Sequence, residues 1–392
     1  MSNREEPLES LFTEGGPGAA ILRRLRLLNP ELGVASDRAA IVLATLCWVP
    51  LLILSAAQGL VLGGAKIPFL KDIAAQTRFL LAVPMLMLAE IPVGFRLREM
   101  VKHFLNAGLI RDSERERFGE ILVDSVRIRD SRIAELVVVS LAYIMTYLNF
   151  TGGQLQQGST WYSPDTGRLS LAGYWYVLVA LPVFQFLILR WIYRMLNWTL
   201  FLIKVSRLDL RLSAAHPDSA GGLGFLGKSL IPFGTITFAL STVVSGAIAS
   251  RVIFAGAKLE SFAIVYVALL VISLIIFAGP LLIFTPRLFR LKYQGMLKYG
   301  VLAERYTQLF EQKWTSLGEH GAAEESVLGT SDIQSLADMG NSFDLVRKMR
   351  VFPLEPSDFV ALALPAIIPA LPLLATVMPV GDIVKDLLKL IV

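Results

Sequence analysis

The chain has 392 residues, of which 54% are hydrophobic and 18% are charged, and its formal net charge is +5 at pH 7. Soluble proteins usually carry about 25% charged residues. Charge is missing from several stretches of about 18 residues or more, the length at which a helix can cross a bilayer, so the composition excludes a water-soluble globular protein.

Seven apolar segments predict an all-α fold, a polytopic helical membrane bundle with a helical cytoplasmic layer. In chain order they cover about residues 40–62, 79–95, 133–150, 171–205, 231–254, 262–284 and 359–378. The seventh is interrupted by four prolines, Pro365, Pro369, Pro372 and Pro379. It is therefore predicted either to cross the membrane or to re-enter it, and an amphipathic tail follows at residues 382–392.

The connections divide the chain into four regions. Residues 1–39 form a cytoplasmic amino-terminal segment, and residues 40–285 form a six-span core. The core includes a helical hairpin at residues 96–132 and a turn at residues 208–230, called the HPD turn below. In the hairpin the first helix is predicted to stop at Asn106, and Asp112 or Ser113 is predicted to cap the second. Residues 286–358 form a helical cytoplasmic insert, and residues 359–392 hold the seventh segment and the tail.

Lysine and arginine are concentrated on one side of the predicted membrane. The amino-terminal segment and every second connection, with the adjoining span ends, hold 29 of the 37 Lys and Arg residues, and the other connections and the tail hold 8. Positive residues accumulate on the cytoplasmic side of multi-pass proteins. The bias predicts a cytoplasmic amino terminus and explains the net positive charge without a nucleic-acid partner.

The HPD turn contains a match to a phosphate-binding pattern. Residues 222–229 fit G-x-x-x-x-G-K-S, in which backbone N–H groups at a helix start cradle phosphates. Residues 208–212 alternate like a short strand. However, a membrane span follows instead of the crossover helix of a βαβ unit, and Leu223, Phe225 and Leu226 make the loop apolar. The sequence favours a glycine-rich interfacial turn over a nucleotide site.

His216 and Asp218 have two interpretations. They predict either a proton-accepting pair at the membrane surface, able also to bind arginines, or a structural turn. In the second interpretation, which the sequence favours, Asp218 accepts backbone hydrogen bonds in an Asx-type turn and His216 caps a helix end.

Ionisable residues within or beside the spans complete a candidate functional polar cluster. Its members are Glu90, Arg190, Arg194, His216, Asp218 and Arg251. Buried charges in a membrane usually face partners or a watery cavity, and Arg190 and Arg194, one turn apart, can pair with Glu90. The alternative, which the sequence favours for the arginines, is that they extend along their own stems to the headgroups.

The fifth predicted span is unusually rich in small and polar residues. Thr237, Ser241 and Ser245 lie on a face that is either part of a hydrophilic pathway or a surface for close helix packing. The four-residue spacing of Ser241 and Ser245 favours packing.

Three strings carry a resemblance to a known family. They are RLDLRLSAAHPDSAGGLGFLG (residues 207–227), LGTSDIQSLADMGNSFDLVRKMR (328–350) and PALPLLATVMP (369–379). Over about residues 206–379 the chain resembles an uncharacterised family of bacterial polytopic inner-membrane proteins with an HPD-x-AGGLGFL cytoplasmic motif. The resemblance implies a bacterial inner membrane and no particular function.

Three classes of function remain open. Transport or ion permeation is predicted first, from the ionisable residues, the polar fifth span and the proline-broken seventh segment. The alternative is a membrane-anchored signalling or scaffold protein, which would form a homo-oligomer through the apolar stripe at residues 333–349. An enzyme using His216 and Asp218 ranks last. The lipid bilayer is the predicted partner, and no cofactor, metal or nucleic acid is expected.

Overall fold

The computed structural model describes residue 24 and residues 37–151, 159–165, 167–315 and 331–374. Seven helices within these ranges are long and apolar enough to span a membrane, which confirms the predicted all-α multi-pass bundle. In chain order the ten long helices are α1 (Asp37–Ala57), α2 (Ile73–Asn106), α3 (Arg115–Arg129), α4 (Arg132–Thr151), α5 (Leu171–Ser206), α6 (Gly224–Ala255), α7 (Leu259–Phe277), α8 (Thr285–Trp314), α9 (Ser331–Lys348) and α10 (Pro356–Leu374). The candidate spans are α1, α2, α4, α5, α6, α7 and α10.

Helix α6 packs against α2, α7 and α10. Its small residues allow these contacts. A Cβ added to Gly234 would lie 2.6 Å from the Ala361 carbonyl oxygen of α10, and one added to Gly246 would lie 2.0 Å from the Thr77 hydroxyl of α2. The predicted seventh segment is therefore a helix that lies closely along α6, and its residues beyond 374 are outside the described ranges.

A proline inside a span leaves the carbonyl four residues earlier without its usual N–H donor. In two spans an aromatic side chain donates a hydrogen bond to that carbonyl instead. Pro50 has no N–H for the carbonyl of Leu46, four residues earlier in α1, and the Trp175 indole of α5 donates to that oxygen at 3.2 Å. Likewise, Tyr143 of α4 donates its hydroxyl at 3.2 Å to the carbonyl of Leu178, four residues before Pro182. Both α1 and α4 are thereby attached to α5.

The HPD turn, the end of α2, and helices α3, α8 and α9 meet at one end of the bundle, called the HPD end below. Arg211 donates its backbone N–H to the Leu109 carbonyl, which joins the HPD turn to the connection after α2. Helix α3 lies against α5, where Asn197 donates to the Ser125 carbonyl at 3.1 Å and Lys204 pairs with Asp124 at 3.1 Å. These contacts place a helical layer on the HPD end.

The structure extends or replaces several predicted elements. Helix α2 stops at Asn106 as predicted, but it begins at Ile73, six residues before the predicted span, and includes a π-helical segment at Thr77–Ala82. Asp112 and Ser113 do not occupy the predicted cap position, because they belong to a 3-10 turn at Asp112–Glu114. Helix α3 begins at Arg115, so Glu114 is the residue at its cap position, and Arg111 is at that of the 3-10 turn. Residues 208–212 are not a strand, and their pairing is a single bridge between Ile110 and Leu210. Nearly all of the predicted amino-terminal segment and the tail at residues 382–392 lie outside the described ranges.

Candidate functional site

Three residues of the candidate polar cluster meet in the interior of the bundle. Arg190 places Nη1 2.8 Å from Oε1 of Glu90, and Arg194 places Nη2 3.3 Å from Oε2 of the same carboxylate. The side chains of Glu90 and Arg190 are 3% and 4% exposed, and that of Arg194 is 14% exposed. We call Glu90, Arg190 and Arg194 the Glu90 cluster. The arginines are thus paired inside the protein.

Helix geometry explains why these side chains meet. Residues four apart share a helix face, so Arg190 and Arg194 both face α2. Helix α2 is interrupted at Ala89, directly before Glu90, and there the Trp191 indole donates to the Leu86 carbonyl at 2.9 Å. At 1.5 Å per residue, Glu90 is about 25 Å from the start of α2 and Arg190 about 28 Å from the start of α5. The cluster therefore lies near the HPD-end limit of a hydrocarbon core about 30 Å thick.

The Glu90 cluster carries more positive than negative charge. Two guanidinium groups share the one Glu90 carboxylate, and the Nε of Arg190 is buried without a hydrogen-bond partner. A third buried arginine, Arg129 of α3, lines a space of about 20 Å³ beside Arg194, and it pairs with Asp130 at 2.6 Å. Such a space has room for about one water molecule. A hydrogen-bond acceptor that reaches Arg190 would satisfy a donor that is otherwise unmatched.

A lateral cavity of about 380 Å³ reaches Arg190 from the side of the bundle. Its lining comes from α1, α4 and α5, together with Met87 of α2. Its walls are apolar, and include Leu43, Val139, Phe186 and Leu187. Among the residues that the structure describes, Glu135 and Arg190 are the charged side chains on its lining. The cavity combines a large apolar surface with a few polar groups at one place, as small-molecule sites do.

The HPD turn uses its backbone N–H groups to bind its own carboxylate. Oδ1 of Asp218 accepts from the N–H groups of Ala220 at 2.8 Å and Gly222 at 3.1 Å, and Oδ2 accepts from that of Gly224 at 2.8 Å. His216 Nδ1 lies 2.7 Å from Oδ1. Gly222 has a φ of +96°, which favours glycine, and a Cβ at Gly224 would lie 3.1 Å from Oδ2. Two of these donors, the N–H groups of Gly222 and Gly224, belong to the phosphate-binding pattern, and the Asp218 carboxylate already binds them.

The ionisation of Asp218 follows from this cradle. Burial by itself would raise the pKa of its carboxyl, but the three backbone N–H donors and His216 outweigh burial, so the pKa is lowered. A carboxylate held in this way is a weak base. The arrangement therefore resembles the structural interpretation of the His-Pro-Asp string more than the proton-accepting one, although His216 contacts Asp218 instead of capping a helix.

Lys228, the lysine of the phosphate-binding pattern, connects α6 to α10. Its Nζ lies 2.9 Å from Oε2 of Glu355 and 3.0 Å from Oδ1 of Asp358, whose side chain is buried. Arg350 binds Glu355 at 3.1 Å and also donates to the Asp218 carbonyl at 2.7 Å. The lysine and the turn thus hold the start of α10 in place, and these contacts do not indicate a nucleotide site.

The remaining candidates lie apart from the Glu90 cluster. Ser241 donates to the Ala366 carbonyl of α10 at 2.5 Å, Ser245 bonds to the Tyr266 hydroxyl of α7 at 2.8 Å, and Thr237 is buried with its hydroxyl 3.4 Å from the Phe233 carbonyl. The Thr237 hydroxyl therefore bonds within α6, whereas Ser241 and Ser245 join α6 to α10 and α7. Arg251 is exposed about one turn before the end of α6, at the opposite end from the HPD turn.

The cavity itself was not predicted from the sequence. Glu135 and Tyr143 both line it, and neither belongs to the candidate cluster. Pro182 indicates that a side chain such as Tyr143 is needed there, because a proline inside a span leaves a carbonyl that needs a donor from another helix. Within the described residues, no group of three or more His, Cys, Asp and Glu side chains is placed to hold a metal ion.

Comparison with known proteins assigns no relative to this chain. No protein family matches it, and no curated protein or solved structure is significantly similar to it. The geometry of the Glu90 cluster and the lateral cavity is therefore the basis for a function.

Proposed function

We propose that this multi-pass membrane protein is a transporter of amphiphiles, which takes a single-chain, lipid-like molecule from the bilayer into the lateral cavity. The observation that carries the proposal is that the lining of an apolar cavity between the spans includes the buried Arg190. The apolar tail would occupy the space between α1 and α4. The polar head would accept a hydrogen bond from Arg190.

The size and lining of the cavity support this substrate class. Its volume, about 380 Å³, falls within the range of about 300–1,000 Å³ that is typical of small-molecule sites. Leu43, Val139 and Phe186 offer only apolar surface, which suits an acyl chain. A free guanidinium N–H in an apolar surrounding favours an acceptor such as a carboxylate, phosphate or ester oxygen.

Ion permeation has less support than amphiphile transport. Ion pathways are lined by rings of carbonyls or charged side chains. The polar residues of α6 instead make contacts with neighbouring helices, as Ser241 does with Ala366, and Glu90 is paired with two arginines. A substrate that enters from the lipid needs no continuous polar path from one side to the other.

We further propose that the HPD end faces the cytoplasm of a bacterium and that the membrane is the inner one. The positive-charge bias of the connections supports the orientation. The resemblance of residues 206–379 to a bacterial inner-membrane family supports the location, and membership of that family is part of the same proposal.

The two other functions receive less support from the contacts. The α9 stripe at residues 333–349 packs within the chain, where Val346 is buried and lies next to Gly295 of α8, so a scaffold role through that stripe would require α9 to separate from α8. An enzyme based on His216 and Asp218 would need a carboxylate that three backbone donors already hold.

Transport can be tested in lipid vesicles that contain the purified protein. A fluorescent single-chain phospholipid is added to the outer leaflet, and the fraction that albumin can no longer extract is followed with time. We expect the protein to accelerate movement to the inner leaflet, and we expect Val139→Trp, which fills the cavity, to abolish the acceleration. The matched control is Val137→Trp, because Val137 is exposed on the same helix and does not line the cavity.

A second variant tests the role of the head-binding residue. Arg190→Lys keeps the positive charge beside Glu90 but removes Nε and the fork-shaped donor set. We expect it to weaken binding of the amphiphile while the fold is retained. Vesicles in which the native protein moves no amphiphile faster than protein-free vesicles, or in which both tryptophan variants behave like the native protein, would contradict the proposal.

A further inference from the structure

Helix α8 has an exposed apolar surface directly after the sixth span. Its inward face is packed, because Leu288 is buried and a Cβ at Gly295 would lie 2.5 Å from Ala214 of the HPD turn. Its outward face carries large apolar side chains at every fourth position. These are Phe289, Tyr293, Leu297 and Val301, which are 61%, 62%, 56% and 73% exposed, and together they form the α8 stripe.

Unpaired cations accompany the α8 stripe. Arg290, Lys292 and Lys298 lie in the same part of the helix, and no ion pair joins any of them to a carboxylate among the residues that the structure describes. The sequence has no acidic residue between Ser261 and Ala303. This part of α8 is therefore a basic amphipathic helix, whose apolar surface and positive charges have no counterpart within the described residues.

Helix α8 is also close to the bilayer along the chain. It begins at Thr285, directly after the 3-10 segment Gly279–Phe284, which follows the end of α7 at Phe277. Pro280 lies in this connection and Pro286 in the first turn of α8, where the direction of the chain can change. The first turns of α8 therefore start at the level where the sixth span leaves the hydrocarbon core.

We propose that the α8 stripe binds the anionic surface of the bilayer beside α7, with its apolar side chains at the boundary between acyl chains and headgroups and its cations on lipid phosphates. A helix with an apolar face and flanking Lys and Arg binds membrane interfaces in this way. Anionic lipids attract each juxtamembrane cation by an amount that corresponds to about a fivefold change in binding.

Charge favours the bilayer over a second copy of the chain as the occupant. A two-fold symmetric contact brings the same surface of both copies together, so Arg290 and Lys298 of one copy would approach like charges of the other. An anionic lipid surface instead supplies the negative charge that the helix lacks. The inference does not depend on a ligand in the lateral cavity.

The test places an environment-sensitive fluorophore on the stripe of the full-length protein. Leu297→Cys is labelled in a Cys47→Ala background, and each lipid nanodisc holds one copy of the protein. Discs of neutral phosphatidylcholine are compared with discs that contain anionic phosphatidylglycerol. Accessibility is measured with a water-soluble quencher. The control label is at Ser335→Cys, an exposed position on α9.

We expect the anionic lipid to shift the emission to the blue and to protect the label at position 297, with no change at position 335. Arg290→Gln and Lys298→Gln should each lower the ratio of protected to accessible label about fivefold. Equal quenching in neutral and anionic discs, with no effect of either substitution, would overturn the proposal. Protection that appears only in discs with two copies, whatever the lipid charge, would also overturn it and assign the stripe to self-association.

Discussion

Arg190 of α5 donates Nη1 to Oε1 of Glu90 in α2 at 2.8 Å, although the two residues are 100 positions apart in the chain. Both side chains are almost completely buried, and each belongs to a candidate span. The removal of two charges from water costs more than their attraction returns unless further hydrogen bonds compensate. Arg194 supplies such a bond to Glu90, and the pair therefore depends on a specific arrangement of two spans.

Removal of the Glu90 charge should destabilise the bundle strongly. Glu90→Gln leaves Arg190 and Arg194 buried beside each other without their carboxylate, and the loss of one partner of a buried ion pair costs about 3–5 kcal/mol. We expect a large fall in the thermal unfolding midpoint of the purified protein in detergent. Glu99→Gln, an exposed position on the same helix, is the matched control and should unfold like the native protein. Equal midpoints for the two variants would show that the ion pair contributes little.

Local patterns in the sequence were sufficient to predict the spans, but they left pairing with Glu90 as the less favoured of two interpretations of Arg190 and Arg194. Hydropathy locates the seven helices, and the four-residue spacing of Arg190 and Arg194 directs both toward one neighbour. The cavity could not be predicted in this way, because it depends on the distance between α1 and α4, which have no sequence motif in common. The sequence indicates the position of α10 only weakly. Gly227, Gly234 and Ser241 recur every seven residues along α6, and all three contact α10.

Close packing between α6 and α10 should make Gly234 intolerant of substitution. In Gly234→Ala the new Cβ would lie 2.6 Å from the Ala361 carbonyl oxygen, and since that oxygen belongs to a helix backbone, one helix must shift. Overpacking of this kind costs about 1–3 kcal/mol, so we expect a lower unfolding midpoint in detergent.

The control for this prediction is Gly119→Ala in α3. A Cβ at Gly119 meets nothing within 4 Å, and alanine favours a helix over glycine by about 1 kcal/mol. Gly119→Ala should therefore be neutral or slightly stabilising. A stable Gly234→Ala protein would mean that α10 is not held as closely to α6 as the structure places it.

The bond from Tyr143 to the Leu178 carbonyl predicts a small, specific effect of removing one hydroxyl. Tyr143→Phe keeps the ring at the cavity wall but leaves the carbonyl without this donor. The carbonyl lies on the outer surface of a candidate span, where lipid offers no donor, and an acceptor left unsatisfied away from water costs about 1–3 kcal/mol. We expect a modest decrease in the unfolding midpoint. Tyr147→Phe removes a hydroxyl from an exposed tyrosine one turn further along α4, and it should have no effect. If both variants unfold alike, the Leu178 carbonyl does not depend on Tyr143.

Acid should weaken the HPD turn through Asp218. Its pKa is lower in the folded protein than in the unfolded chain, where it is about 4, because the backbone donors favour the carboxylate. The native state therefore binds fewer protons than the unfolded state in this range. The stabilisation is complete above about pH 4 and is lost as the pH falls through the lower folded value.

Asp218→Asn removes this acid sensitivity together with the charge. Its amide has one acceptor for three N–H donors, so at pH 7 we expect a lower unfolding midpoint than that of the native protein, by an amount that corresponds to about 2–3 kcal/mol. Below pH 4 the two midpoints should converge, because the native protein loses its carboxylate there. Glu116→Gln, an exposed position on α3, should follow the native protein throughout. A constant difference between Asp218→Asn and the native protein from pH 7 to pH 3 would mean that the carboxylate charge does not hold the turn, since only an ionised group with a lowered pKa produces convergence in that direction.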